Sequence, residues 1–439
     1  MNKVVKFGGS SLADAGQFKK VGAIIHDDSS RRYVIPSAPG KRFPSDIKVT
    51  DMLYQCYAKA VADIDFSELL TAIKDRYQEI IDELQLNLSL DKEFEIIREN
   101  FKNKIGKCYA ASRGEYLNGI VMASYLGFEF IDAAEMILFD ENGNCMAEET
   151  NQLLQERLQH CENAVIPGFY GRREDGTIQT FSRGGSDVTG SLVAKAIHAD
   201  MYENWTDVSG FLVADPRIIK NPASIDVITY KELRELSYMG ATVIHESAIF
   251  PILKDGIPIN IRNTNKPEDA GTLIVESTCR KPRYTITGVA GKTGFASITI
   301  EKAMMNSEVG FCRKVLSVFE DEGISIEHMP SGIDTMTIFV HQDEFEAHEQ
   351  KVIAKIHRAV EPDVVELESD LALIAVVGRG MRQTRGTAGR IFSALAHAHV
   401  NVKMIDQGSS ELNIIIGVRT HDFERAIRAI YDIFVTIQL

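Results

Sequence analysis

Apolar runs of membrane-spanning length are missing from this chain, and so is any Cys-x-x-Cys pair. Without about 20 consecutive apolar residues no helix of the chain spans a bilayer. The six cysteines, Cys56, Cys108, Cys145, Cys161, Cys279 and Cys312, are scattered, which excludes the paired spacing of a zinc site and fits a reducing compartment. Positive charge is the minority, with 48 Lys and Arg against 62 Asp and Glu for a net charge of −14. A nucleic acid or an anionic membrane surface would need a dominant positive field, so neither is expected as a partner. Any anion must be held by a local site. No apolar leader precedes the first β-like run at residues 3–7, and a cytoplasmic location is expected.

What is present is an ordinary globular composition, 44% hydrophobic and 25% charged over 439 residues, long enough for two or three domains. The densest local signal is Ser182-Arg183-Gly184-Gly185-Ser186-Asp187, between a β-like run at 177–181 and a helical run at 188–198. A strand turning through two glycines into a helix exposes backbone N–H groups at the positive end of a helix dipole. Arg183 can grip a carboxylate or phosphate there, with Ser186 and Asp187 suited to the N-cap. A plain capped helix with a solvated arginine fits the same residues.

A similar arrangement opens the chain. Residues 3–7 read as a strand that ends in Gly8-Gly9-Ser10-Ser11, and Phe18, Val21, Ile24 and Ile25 then recur at helical spacing. No Gly-Lys-Ser/Thr follows, so the turn is not a Walker loop. Lys6, just before the glycines, can reach an anion in the loop or lie along the surface as a solvated lysine. A second strand at 33–36 ends in Ser37-Ala38-Pro39-Gly40, residues 41–50 read as irregular, and 66–101 read as amphipathic packing helix. Glu115, in Ser112-Arg113-Gly114-Glu115, is placed in the first turn of a helix, as a dipole carboxylate or as a partner for a substrate amine. Alternating strands and helices with polar strand ends predict a largely parallel α/β sheet with ligands at its carboxyl edge, ending near residue 280.

The last third contains a repeat. A shift of 76 residues, from 310 to 386, aligns Gly310 with Gly386, Val315 with Ile391, Gly332 with Gly408 and Ile338 with Ile414. Two similar α+β modules are expected. Gly378-Arg379-Gly380 hints at a dinucleotide turn but lacks the third glycine.

Taken together, Lys6-Phe7-Gly8-Gly9-Ser10-Ser11, Gly114-Glu115, Arg183-Gly184-Gly185-Ser186-Asp187, Trp205-Thr206-Asp207-Val208 and Asp215-Pro216-Arg217 resemble the aspartokinases of the amino-acid kinase superfamily. The resemblance implies a three-layer αβα kinase domain at 1–280. A regulatory region at 284–439 would follow, with two interleaved βαββαβ ACT modules at about 295–368 and 370–439. It implies transfer of the γ-phosphoryl of ATP, carried with Mg²⁺, to the β-carboxylate of L-aspartate. By this resemblance Lys6 and Asp187 are catalytic, and Ser37, Thr50, Glu115, Arg183 and Ser186 bind substrate. Lys6, Gly8, Gly9, Ser10, Thr206, Asp207, Asp215 and Arg217 bind ATP, with no metal ligand from the protein itself.

The implied effector is lysine, threonine or both, near Met305, Ser325, Ile326 and Glu327, with ACT modules pairing into a homodimer or a dimer of dimers. The chain is similar to the monofunctional form, without a fused homoserine dehydrogenase. Two positions depart from the family pattern: Leu212 stands where many members have a tyrosine, and Thr242 where they carry a phosphate-side lysine. The competing readings are another amino-acid kinase, such as glutamate 5-kinase, and a non-catalytic amino-acid sensor.

Overall fold

The computed structural model describes residues 1–182, 184–241, 244 and 250–437. Arg183, Thr242 and Val243 lie outside the described residues, as do 245–249 and the last two positions. The chain divides into two compact units. One comprises Met1–Phe211, Asp226–Tyr230 and Val243–Thr278, the other Leu212–Ile225, Lys231–Thr242 and Cys279–Leu439.

The first unit opens with β1 (Lys3–Phe7), α1 (Ala15–Asp27) and β2 (Arg31–Pro36), followed by the helices α2 (Val49–Val61), α3 (Ser67–Glu83), α4 (Asp91–Lys102) and α5 (Lys107–Leu126). The chain continues through β3 (Glu129–Phe130), β4 (Leu138–Phe139), α6 (Ala147–Leu158), β5 (Ala164–Val165), β6 (Tyr170–Arg173) and β7 (Ile178–Thr180). Then come α7 (Gly185–Ala196), β8 (Met201–Thr206) and β9 (Val227–Thr229). The helix α8 (Tyr230–Tyr238) leaves the unit after its first residue, and α9 (Phe250–Leu253), β10 (Ile259–Asn263) and β11 (Thr272–Val275) complete it.

Among the described residues the main sheet runs β3-β5-β2-β1-β8-β10-β11-β9, parallel except where β11 meets β10. β7 lies in a separate small sheet with β4 and β6. The amphipathic pattern over 66–101 is two helices, α3 and α4, with a break between them. Their apolar faces join α1, α2 and α5 in one core over Val5, Phe7 and Trp205.

The parallel register sets Lys6 beside Asn204 and Val5 beside Glu203. Side chains alternate along a strand, so Val5, Phe7, Glu203 and Trp205 share one face while Lys6 and Asn204 share the other. On the first face Phe7 stacks on Trp205 with ring centroids 6.0 Å apart. Glu203, 1% exposed, takes Arg31 Nε at 2.8 Å, Lys3 Nζ at 3.1 Å and the indole Nε1–H of Trp205 at 2.8 Å. Burial pushes the Glu203 carboxyl up, but the Arg31 and Lys3 cations outweigh it and hold the group below its ordinary value.

The second unit contains β12 (Gly288–Glu301), α10 (Phe311–Asp321), β13 (Ile326–His328), β14 (Thr335–His341), α11 (Gln342–Glu346), α12 (Glu349–Val360) and β15 (Val364–Val377). After these come α13 (Thr387–His397), β16 (Met404–Asp406), β17 (Asn413–Arg419) and α14 (Phe423–Tyr431). Its sheet is ordered β13-β14-β12-β15-β17-β16. The repeat is visible in the backbone: Gly310 and Gly386 occupy the N-cap positions of α10 and α13 with φ of 85° and 81°. That left-handed conformation favours glycine at both equivalent positions.

The two modules exchange strand halves. Phe295 to Glu301 of β12 pairs with β14 and the start of β15, whereas Gly288 to Thr293 pairs with the end of β15, which carries β17 on its other side.

Replacing Glu203 by Ala leaves Arg31 and Lys3 without their shared partner. A loss of about 3–5 kcal/mol is expected in a denaturant melt at pH 7. Because the folded pKa is depressed, this contribution is present at neutral pH and fades as pH falls below about 4.

Candidate active site

Two glycine-bearing turns, the end of β8 and one buried acid build the site at the carboxyl ends of β1, β2 and β8. The turn after β1 is tied to β8 by the Gly8 amide donating to the Trp205 carbonyl at 3.0 Å, and to the turn after β2 by the Gly40 amide donating to the Gly9 carbonyl at 2.8 Å. The two turns touch backbone to backbone. A Cβ on Gly40 would stand 2.5 Å from the Gly9 carbonyl carbon, and one on Gly9 would stand 2.8 Å from the Ala38 oxygen. Ser11 closes the other flank through a 2.8 Å hydroxyl pair with Thr264. Ser37 is held by its backbone, its amide donating to the Phe7 carbonyl and its carbonyl accepting from Asn118 of α5.

These turns enclose a cavity of about 640 Å³ lined by Gly8, Gly9, Ser10, Ser37, Thr50, Glu115, Thr206 and Asp207 together with residues 38–41, 43, 44 and 48. Thr50 falls in the first turn of α2, so the irregular stretch is shorter than its sequence suggested. Glu115 is not in a first helical turn. Helix α5 starts at Lys107, about two turns earlier, and the helix dipole therefore does not explain it.

Instead Glu115 is 6% exposed, and its Oε2 has no hydrogen-bond partner. Burial pushes the carboxyl up to about 8, against the opposing pull of the Ala38 backbone and Arg113. A buried, unsatisfied carboxylate on the wall of a cavity is costly until a cation meets it.

Lys6 is buried rather than solvated, 9% exposed, with Nζ 2.6 Å from Asp187 Oδ1 and 3.4 Å from Asn204 Oδ1. Asn204 donates from Nδ2 to the same Asp187 oxygen at 2.9 Å, closing a triangle. A Cβ on Gly8 would lie 3.7 Å from Lys6 Nζ, which puts the ammonium next to the glycine turn. The N-cap expected of Ser186 and Asp187 is Gly184, with φ of 58° and no side-chain cap. Asp187 points to Lys6 from the first turn of α7, and Ser186 packs against Gly168. The predicted carboxylate grip, Arg183, lies outside the described residues.

Thr206 and Asp207 are neighbours at the end of β8, with the hydroxyl 3.2 Å from the carboxylate. Asp215 and Arg217 belong to the second unit, where they pair with each other and Arg217 is 87% exposed. Of the effector residues, Ile326 sits in edge strand β13 and Ser325 is exposed just before it. Met305 is 6% exposed and turned into the core of the first module. Glu327 is not free: its carboxylate accepts from Tyr238 Oη at 2.6 Å, and His341 Nε2 stands 3.3 Å from the other oxygen.

Two contributors escaped the sequence reading. Asn204 is a polar residue one step inside a strand end, on the face opposite Trp205. Arg76 lies on the apolar face of α3, three residues after Ile73 and beside Tyr77, 4% exposed. A lone arginine at core spacing was the available signal. Among the described residues no three His, Cys, Asp or Glu side chains form a metal-binding group, and no helix is long and apolar enough to cross a membrane.

A parallel-rich sheet with a lysine–aspartate pair and glycine turns at its carboxyl edge defines an amino-acid kinase, and the second unit adds an ACT-type regulatory fold. The comparisons agree. A model of the amino acid kinase family matches residues 1–263 and an ACT domain model matches 374–434. Aspartokinase 3 of Bacillus subtilis is 40% identical over 98% of both chains. The crystal structure of Clostridium acetobutylicum aspartate kinase, described as an allosteric enzyme, superposes with a TM-score of 0.89 at 52% identity, covering 98% of this chain and 99% of that one. Escherichia coli aspartokinase III, solved with aspartate and ADP, gives a TM-score of 0.73 at 23% identity over 99% of both chains, a likeness of fold.

The chain thus belongs to the aspartokinases, enzymes of the amino acid kinase family that here carry a C-terminal ACT region.

A raised pKa makes a pH signature. Native Glu115 keeps its proton from about 4.5, where the unfolded side chain loses it, up to about 8, so folding stability declines with pH across that window. In thermal melts without substrate, Glu115→Gln is expected to melt above the wild type at pH 9, with the difference closing toward pH 5.

Proposed function

We propose that the cavity takes L-aspartate with its ammonium on Glu115 and presents the β-carboxylate to the γ-phosphoryl of MgATP laid along the Gly8–Gly9 turn. The β-carboxylate oxygen attacks phosphorus, and the bond to the β,γ-bridging oxygen breaks. The products are 4-phospho-L-aspartate and ADP. No proton moves, so positioning and charge carry the reaction. Lys6 neutralises charge on the transferring group, while Asp187 and Asn204 hold its ammonium in place. The magnesium arrives with the nucleotide as part of the substrate.

The observation that carries this reading is the unpaired oxygen of Glu115, a residue that lines the same cavity as the glycine turn. Ser37, Thr50 and Ser186 would add hydrogen bonds to aspartate, with Arg183 on its α-carboxylate. Thr206 and Asp207 would meet the nucleotide.

Regulation is assigned to an amino acid bound near Ser325, Ile326 and Glu327, lysine first and threonine alone or jointly next, in a cytoplasmic homodimer or dimer of dimers joined through ACT modules. The aspartokinase III of E. coli has been solved with lysine and aspartate. In this chain an effector ammonium would compete with Tyr238 for Glu327. A coupling of about 1–3 kcal/mol suffices for strong inhibition.

Incubation with MgATP and aspartate, trapping the acyl phosphate as hydroxamate, is expected to give aspartate-dependent product. Lys6→Ala should lower kcat by ~10²-fold or more with little change in KM for aspartate. A wild-type protein that yields no hydroxamate would overturn the reading.

Titration of the same assay with lysine and with threonine is expected to show inhibition. Tyr238→Phe, freed of the competing hydroxyl, should need severalfold less effector. If neither amino acid changes activity or sedimentation, the regulatory assignment is wrong.

A further inference from the structure

The segment that leaves Gly40 and enters α2 is closed at its neck by one buried side chain. The Arg76 guanidinium donates to the Gly40 carbonyl at one end of the loop and to the Ile47 carbonyl at the other, 2.8 Å away. It also reaches the Ala13 carbonyl at 3.4 Å, just beyond the turn that follows β1. Asp46 stands 3.5 Å from Arg76 and accepts from the Arg42 amide and Nε at 2.9 Å each. One guanidinium with a fixed fork of donors thus holds both ends of the loop and the neighbouring turn.

What this loop presents to the cavity is positive. Lys41 and Lys48 both line it, close in sequence to Thr50 of the same wall. Among the described residues the Lys48 ammonium has no hydrogen-bond or ion-pair partner, and Lys41 has one 3.4 Å contact with the Pro44 carbonyl. The nearby acid, Asp46, is already engaged by Arg42 and Arg76, so it does not neutralise the lysines. Of the two acids that line the cavity, Asp207 lies at the end of β8 and accepts from the Thr206 hydroxyl, and Glu115 is matched to an ammonium. A zwitterionic dicarboxylate seated on Glu115 still has carboxylate charge to satisfy on this side.

We propose that Lys48 is a further substrate-binding residue that holds a carboxylate of the amino-acid substrate, and that Arg76 is the positioning residue that fixes its loop. This assignment rests on the aspartate kinase reading of the cavity.

The test measures KM for aspartate and for ATP separately, on the full chain, by hydroxamate formation. Lys48→Ala is expected to raise KM for aspartate about ten- to a hundredfold, the range of one charge-assisted contact. KM for ATP should stay within twofold, and Lys48→Arg should restore most of the loss. Arg76→Lys cannot reach three carbonyls at once. It should raise KM for aspartate in the wild-type background and add little in the Lys48→Ala background, a non-additivity that general destabilisation would not produce.

An unchanged KM for aspartate in Lys48→Ala, or a rise confined to ATP, overturns the proposal while leaving the reaction intact. Wild-type enzyme without aspartate-dependent product overturns both. If Arg76→Lys does not fold, the exposed Lys48 variants still decide the matter.

Discussion

The register of β1 against β8 is the constraint on which the site depends. A strand has a side-chain period of two, so a slip of one residue would carry Lys6 to the face now occupied by Val5 and Phe7. Asn204 and Lys6 meet Asp187 only because they stand at the same level on the same face. What pins that level lies on the opposite face, where Glu203 gathers Lys3, Arg31 and the Trp205 indole in a dry environment. A buried carboxylate with three donors has one good position. The sheet is therefore locked by charge on one side and presents the Lys6–Asp187 pair on the other.

Glu115 represents the opposite solution to burying a carboxylate. Glu203 is given its cations by the fold, whereas Glu115 is left with an unpaired oxygen and retains a proton well into the neutral range. The empty site is thus held short of its most stable state, and a ligand bearing an ammonium supplies what the protein withholds. Under the binding mode proposed above, such a site would favour amino acids over plain dicarboxylates, because a ligand without the amine leaves the acid unpaired.

What was legible in the sequence was local. The glycine turns after β1 and before α7, the strand ends beside them and the 76-residue repeat all depend on residues close together in the chain or on a simple shift. Glu115 was singled out in the sequence but placed wrongly along its helix. Helix α5 is buried over most of its circumference from Tyr109 to Met122, so it shows no apolar stripe from which to read a start. Arg76 and Asn204 were missed for a different reason. Their partners are the Gly40 and Ile47 carbonyls and the Asp187 carboxylate, all remote in sequence, and no local pattern marks them. The Tyr238–Glu327 bond, which occupies the acid expected to be open to an effector, likewise joins residues 89 apart.

The exchange of strand halves between the two regulatory modules has a consequence for the order in which the chain can fold. Gly288 to Thr293 emerges early in synthesis, but its partner at the end of β15 follows only after the whole first module has been made. The first module in turn needs the start of β15 to complete its sheet. Neither module can finish alone, so the pair acquires its structure late and together, through pairings that span most of the region and close long loops. A chain interrupted before β17 would lack a neighbour for β15 and would leave a long apolar edge open to other chains.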